Sequence, residues 1–212
     1  IGPFATGPLI AMGKAGSPIY YNSVYFYLHF QYNGWFSFAV LALLYRQLEH
    51  LKMAINGERV LKLFAAACVP SFALSLLWNN PATVYYIIGG AAALLQLAGL
   101  FYLWKDVQHF RPSHSWLKPL LIAALGAFVL KLVLQVASAI PAIAEMAYLN
   151  RNFIIAYLHL VLLGFISLFA MATAFQHFYI RHSISIKVGL LLFFFSFITT
   201  ELFLAVHAMG PL

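Results

Sequence analysis

Residues 20–48 read YYNSVYFYLHFQYNGWFSFAVLALLYRQL, and their reading decides the fold. No fixed charge occurs before Arg46. At about 1.5 Å of rise per residue the stretch can cross a hydrocarbon layer about 30 Å thick with some tilt, which predicts a membrane-spanning helix. Helical spacing puts Tyr25, His29, Tyr32, Asn33 and Phe36 on one face of that helix. An ionisable ring at such depth is costly, so His29 is a candidate functional residue.

The rest of the chain has the same character. Of 212 residues, 64% are hydrophobic and 8% charged, against about a quarter charged in soluble domains, so the chain crosses the membrane repeatedly. The opening IGPFATGPLIAMG is apolar but has no basic start, so it reads as the tail of an earlier helix and the chain as part of a longer one. Further spans are expected at about 60–78, 84–104, 116–140, 153–180 and 188–207, with Pro70 kinking the second and Gly89-Gly90 permitting close packing in the third. Residues 141–152 read as an interfacial connection. Nothing reads as a strand. The expectation is an all-α, polytopic integral membrane bundle, one transmembrane domain over 1–212, with six complete spans plus the end of a preceding helix.

Charge sets the orientation. Of twelve Lys and Arg, the loops after spans one, three and five and their flanks hold Arg46, Lys52, Arg59, Lys62, Lys105, Arg111, Lys118, Arg181 and Lys187. The opposite side holds Lys14 and Arg151, and Lys131 lies within a span. The positive-inside rule therefore puts the three basic loops in the cytoplasm and both ends outside, as in a bacterial inner membrane. It also accounts for the net charge of +7 without nucleic acid as a partner. The single cysteine, Cys68, excludes an intrachain disulfide and reads as a small core residue.

Counted from the outer side, His29 lies about 13 Å and His159 about 10 Å into their spans, and His207 falls at the outer end of the sixth. His50, His109, His114, His177 and His182 fall in cytoplasmic loops or at span ends. A short echo joins the two deep histidines, Tyr27-Leu28-His29 with Gly34 and Tyr157-Leu158-His159 with Gly164, both YLHxxxxG. Each imidazole is either a hydrogen-bonded core group or a ligand for heme iron or copper, with His29, His159 and His207 the candidate metal ligands and Tyr25, Tyr32 and Phe36 packing against a cofactor. Lys131, Gln135 and Ser138 share a face of the fourth span, and Glu201 lies near mid-membrane in the sixth. This polar interior predicts either a Lys131–Glu201 ion pair or a proton path.

The order and depth of these features resemble the main subunit of heme-copper oxidases and nitric oxide reductases, counting one helix before Ile1. The resemblance implies His29 as a ligand of a low-spin heme, b-type, from the second helix. It implies His159 as a ligand of the active-site metal, copper or a second iron, and His207 at the position of the family's histidine pair. His159 is followed by Leu160, Val161, Leu162 and Leu163 rather than a Pro-Glu-Val-Tyr type of sequence, and His207 by Ala208. The implied function is a heme-binding respiratory membrane protein with an altered metal site, possessing other subunits of a respiratory complex as partners and a capacity for oxidoreductase chemistry. Two other classes fit the residues: a transporter or channel lined by Lys131, Gln135, Glu201 and Gln96, and a cofactor-free structural subunit. No HExxH motif, phosphate-binding glycine loop or nucleophile-base pair occurs.

Overall fold

Long apolar runs can satisfy their backbone inside a membrane only by closing every hydrogen bond along the chain, which makes them helices. In the computed structural model, residues 2–79, 81–110, 115–177 and 184–209 are described, and among them every regular element is helical. The elements are α1 (Gly2–Ala11), α2 (residues 18–50), α3 (Gly57–Asn79), α4 (Thr83–Val107), α5 (Lys118–Ala137), α6 (Pro141–Leu149), α7 (residues 151–177) and α8 (Ile184–Met209). Part of the third basic loop, residues 178–183, and the loop residues 111–114 lie outside the described residues, and so do His114 and His182.

Five helices, α3, α4, α5, α7 and α8, are long and apolar enough to cross a membrane. The sixth expected span, α2, is a continuous helical rod, yet it falls outside that set. The reason is compositional: its first half carries Asn22, His29, Gln31, Asn33 and several tyrosines, which lower mean hydropathy. Within the connection at 141–152 the chain folds α6, with Pro141 at its first turn, where the missing N–H costs nothing.

Two rods are not α-helical throughout. In α2 the chain is α over Pro18–His29, π over Phe30–Phe36 and α again over Ser37–His50. In α7 it is α over Arg151–His159, π over Leu160–Ser167 and α over Leu168–His177. Pro70 acts on α3 in a related way, because without its N–H the chain tightens into a 3₁₀-helix over Pro70–Asn79 rather than kinking an α-helix.

Packing follows from small residues and stacked rings, as it must where lipid supplies no hydrophobic drive between helices. Helices α3 and α4 form a hairpin, α5 packs on α4 and α7, α8 on α7, and α2 on α3 and α7. Phe64, Phe128 and Phe165, from α3, α5 and α7, stack with centroids 5.7 and 4.5 Å apart. Gly164 permits the α5–α7–α8 approach, since a Cβ there would stand 2.6 Å from Phe197 and 3.1 Å from Ala127.

At the basic-loop end, buried Asp106 of α4 accepts from Tyr45 Oη (2.9 Å), Asn56 N (2.9 Å) and Asn56 Nδ2 (2.8 Å). This latch fixes the connection between α2 and α3 against the end of α4. The rod α2 itself ends in a left-handed residue, Lys52 at φ 57°, with Met53 N bonded to Leu48 O and Lys52 N to Glu49 O. That is the Schellman arrangement with lysine where glycine is usual.

Candidate functional site

His29 is 1% exposed, the last α-helical residue before the π segment of α2. Its Nε2 lies 2.9 Å from Cys68 O of α3, with Ser71 Oγ at 3.5 Å. Its Nδ1 lies 3.2 Å from Asn33 Nδ2 and 3.3 Å from Ser75 Oγ. A carbonyl can only accept, so Nε2 carries the proton, and Nδ1 holds the lone pair that accepts from Asn33 and Ser75. The ring is therefore a neutral imidazole of fixed tautomer, and it clamps α2 to α3 where Pro70 disturbs the latter helix. Phe30 and Phe72 pack edge-on to it, at 5.0 and 5.5 Å.

This imidazole forms part of the wall of a cavity of about 740 Å³ between α2, α3, α5, α6, α7 and α8. Tyr25, Tyr32 and Asn33 join His29 there from α2, with Ser75 and Trp78 from α3. Phe36, expected in the same row, is not in the wall, because the wider turns of the π segment rotate it away from the Tyr25–His29 face. Gln135 and Ser138 of α5, Tyr157 of α7 and Glu201 of α8 line the other sides. Three of these residues keep an oxygen sealed from the cavity and without a hydrogen bond, Asn33 Oδ1, Gln135 Oε1 and Glu201 Oε1, the last with His159 Nδ1 at 3.5 Å. For Asn33 the orientation is dictated, since Nδ1 of His29 needs the amide NH₂ and Oδ1 must turn the other way.

The remaining sequence candidates go elsewhere. His159 does not line the cavity; its Nδ1 stands 3.5 Å from Glu201 Oε1, with no hydrogen bond formed between them. His207 is exposed, lies 4.0 Å from the Phe203 ring and has its Nδ1 3.1 Å from Phe203 O. Among the described residues no three His, Cys, Asp or Glu side chains converge as a metal site, so His29, His159 and His207 are not brought together. The Lys131–Glu201 ion pair does not form. Lys131 is 1% exposed, and its Nζ sits 5.6 Å from the Phe128 ring, because helix rotation points it into the aromatic stack while Glu201 faces His159. Of the four residues proposed to line a transport path, Gln135 and Glu201 line the cavity, whereas Lys131 and Gln96 do not. His50 and His109 are exposed, and the side chain of His177 lies outside the described residues.

The YLHxxxxG echo extends further than the sequence reading took it. Each histidine is the last residue before a π segment, and the same serine bond stands at each segment's end: Ser37 Oγ to Tyr32 O (2.6 Å), just after the first, and Ser167 Oγ to Leu162 O (2.8 Å), at the last residue of the second. Each histidine then meets the residue 42 positions later on the next membrane helix, Ser71 for His29 and Glu201 for His159. The two π segments touch, and Tyr32 and Tyr157 meet edge-on at 6.3 Å. The cavity thus lies between two helix pairs, α2 with α3 and α7 with α8, that share this local pattern. The serines at +8 were the signal available in the sequence.

For heme iron this wall offers one imidazole whose two nitrogens are both engaged, and among the described residues no second histidine faces it. In this arrangement the donor set does not fit an axially ligated heme. What fold and cavity define is a class, a polytopic helical membrane protein with a chamber inside its bundle. No family model, curated protein or solved structure matches the chain.

Proposed function

We propose that this chain is an integral membrane protein of a respiratory electron-transfer system whose cavity holds a planar, largely apolar redox group beside His29. One observation carries the reading: a chamber of about 740 Å³ with an almost wholly apolar lining lies between the helices, with the rings of Tyr25, Trp78, Tyr157 and Phe197 and the imidazole of His29 in its wall. Chambers of this size hold small molecules. On this reading α2 is a sixth span, the basic loops face the cytoplasm and the cavity lies in the outer half of the bacterial inner membrane.

Two redox groups are weighed by what each asks of His29. A b-type heme is what the oxidase resemblance implies; it would use Nδ1 of His29, with the Nε2–H bond to Cys68 O as the anchor that metal-bound histidines usually have, and it requires Asn33 and Ser75 to give up their bonds to that nitrogen. The other is a membrane quinone. The test is the content of the protein purified from its native membrane. Absorption spectra before and after dithionite reveal a heme, and solvent extraction reveals a quinone. Gly126 lines the cavity and a Cβ there would meet nothing within 4 Å, so Gly126→Leu, which adds bulk at the wall, should lower the occupancy of either. A preparation holding neither group, with a fold intact by circular dichroism, refutes the proposal.

A further inference from the structure

We propose that the occupant is a quinone drawn from the bilayer, its ring carbonyls accepting hydrogen bonds from the hydroxyls of Tyr25, Tyr32 and Tyr157 and its tail leaving between α5 and α8. The inference rests on the cavity reading above and names which of the two groups sits there and what holds it.

The head group follows from the donors that the wall leaves open. Tyr25 and Tyr32 of α2 and Tyr157 of α7 line the chamber, and their hydroxyls are neither sealed among packed atoms nor bonded to any described group. Tyr32 is 9% exposed, so the chamber is the surface left to its hydroxyl. The serine and indole donors of the wall are spent within the protein: Ser71 Oγ on Cys68 O at 3.1 Å, Ser75 Oγ on His29 Nδ1 at 3.3 Å, Trp78 Nε1 on Asn22 Oδ1 at 3.2 Å and Ser138 Oγ on Gln135 O at 2.8 Å. A donor left unpaired in an apolar setting costs its desolvation, which a ligand with acceptors removes. Tyr25 stands two turns from Tyr32 along the rod, and Tyr157 meets Tyr32 edge-on at 6.3 Å, so these donors are spread along the wall. A quinone answers that spread with a carbonyl at each end of a flat ring, against which aromatic side chains pack. A heme brings acceptors too, in its propionates, but it needs Nδ1 of His29, whose bonds from Asn33 and Ser75 a quinone leaves in place.

The tail follows from where the chamber opens. Helices α5 and α8 each pack on α7 but barely on one another, converging on Gly164 of α7, beside Ala127 and Phe197. Past that point Leu130 and Leu134 of α5 and Ile198 and Leu202 of α8 line the cavity, yet are 48%, 40%, 38% and 62% exposed. Both helices are long and apolar enough to span the membrane, so a gap between them opens on acyl chains. A mouth rimmed by such residues admits molecules dissolved in lipid and lets an isoprenoid chain extend into it.

The experiment uses the full chain in lipid nanodiscs with two probes: a dimethylbenzoquinone carrying a decyl tail, and the benzene of the same substitution, which lacks both oxygens. Saturable quenching of tryptophan fluorescence reads the quinone, Trp78 being in the wall, and competition against it reads the benzene. The quinone should bind about tenfold more tightly than the benzene, the factor expected of one buried hydrogen bond. Tyr32→Phe and Tyr157→Phe, which keep the ring and remove the hydroxyl, should each weaken the quinone by about three- to tenfold and leave the benzene unchanged. Equal affinity for the two probes, or quinone binding unaltered in both tyrosine variants, overturns the proposal. A heme Soret band that the quinone does not displace overturns it too, while leaving the broader reading of the cavity standing. If the quinone does not bind and the purified protein holds no heme, both fall.

Discussion

Replacing His29 with phenylalanine removes both ring nitrogens while keeping a ring of similar volume, so packing loss is small and hydrogen bonding dominates. The bonds to Cys68 O (2.9 Å) and from Ser75 Oγ (3.3 Å) cross between α2 and α3. Interhelical bonds in membranes contribute about 0.6 kcal/mol on average and at most about 1.7, which gives about 1–3 kcal/mol for the two. The stranded Asn33 amide adds about 1 kcal/mol, and Cys68 O keeps Ser71 Oγ at 3.1 Å as a donor. The expected destabilisation is about 3 kcal/mol, measured by SDS-induced unfolding in mixed micelles. A double-mutant cycle with Ser75→Ala should recover a coupling of about 0.6 kcal/mol. If His29→Phe unfolds at the parent's SDS fraction, or the cycle gives no coupling, the clamp described above is not what holds this ring.

Asp106→Ala should destabilise by about 3 kcal/mol in the same assay, because three donors lose a buried carboxylate, whereas Glu58→Ala, in an exposed pair with Lys62, should leave unfolding unchanged. Lys52→Gly should stabilise by about 1 kcal/mol by relieving a left-handed conformation, visible as a higher midpoint. Gly164→Ala should cost about 1–3 kcal/mol through its contact with the Phe197 ring, and Gly126→Ala, which meets open space, nothing measurable. In a Cys68→Ala background, cysteines at Lys52 and Lys105 should label from one face of sealed vesicles and one at Arg151 from the other; reaction of all three from one face would reject the topology.

The helices were legible because hydropathy and length constrain a membrane chain so tightly. Their ends shifted by a few residues, and α2 is a helix over the stretch marked by length and absence of charge, although its tyrosines and amides keep it out of the set apolar enough to span a membrane. The burial of His29, Lys131 and Gln135 was legible too, since lipid tolerates none of them. What escaped was rotation. Lys131 and Glu201 sit within reach by depth alone, but which way each helix turns is settled by Phe64, Phe128 and Phe165 stacking across three helices. The π segments escaped for a related reason: no residue type marks them, and they left Phe36 outside a row that α-periodicity had put it in. The Asp106 latch joins residues 50 and 61 positions apart, and spacing along one helix cannot reveal it.

The wide turns after His29 and His159 make these rods unusually tolerant of one kind of genetic change. A π segment accommodates a residue more per turn than an α-helix, so losing one residue from 30–36 lets the rod close into uninterrupted α-helix with its backbone bonds intact. Six α-helical residues at about 100° each turn the rod nearly as far as the seven residues of the wider segment, so both flanks keep close to their present relative rotation. Val40, Leu41, Leu44 and Leu48, packed in the core, would hold their places while His29 stays on its own side of the rod. Natural length variants of this rod, where they arise, should therefore lose the wide turn and keep the faces on either side of it.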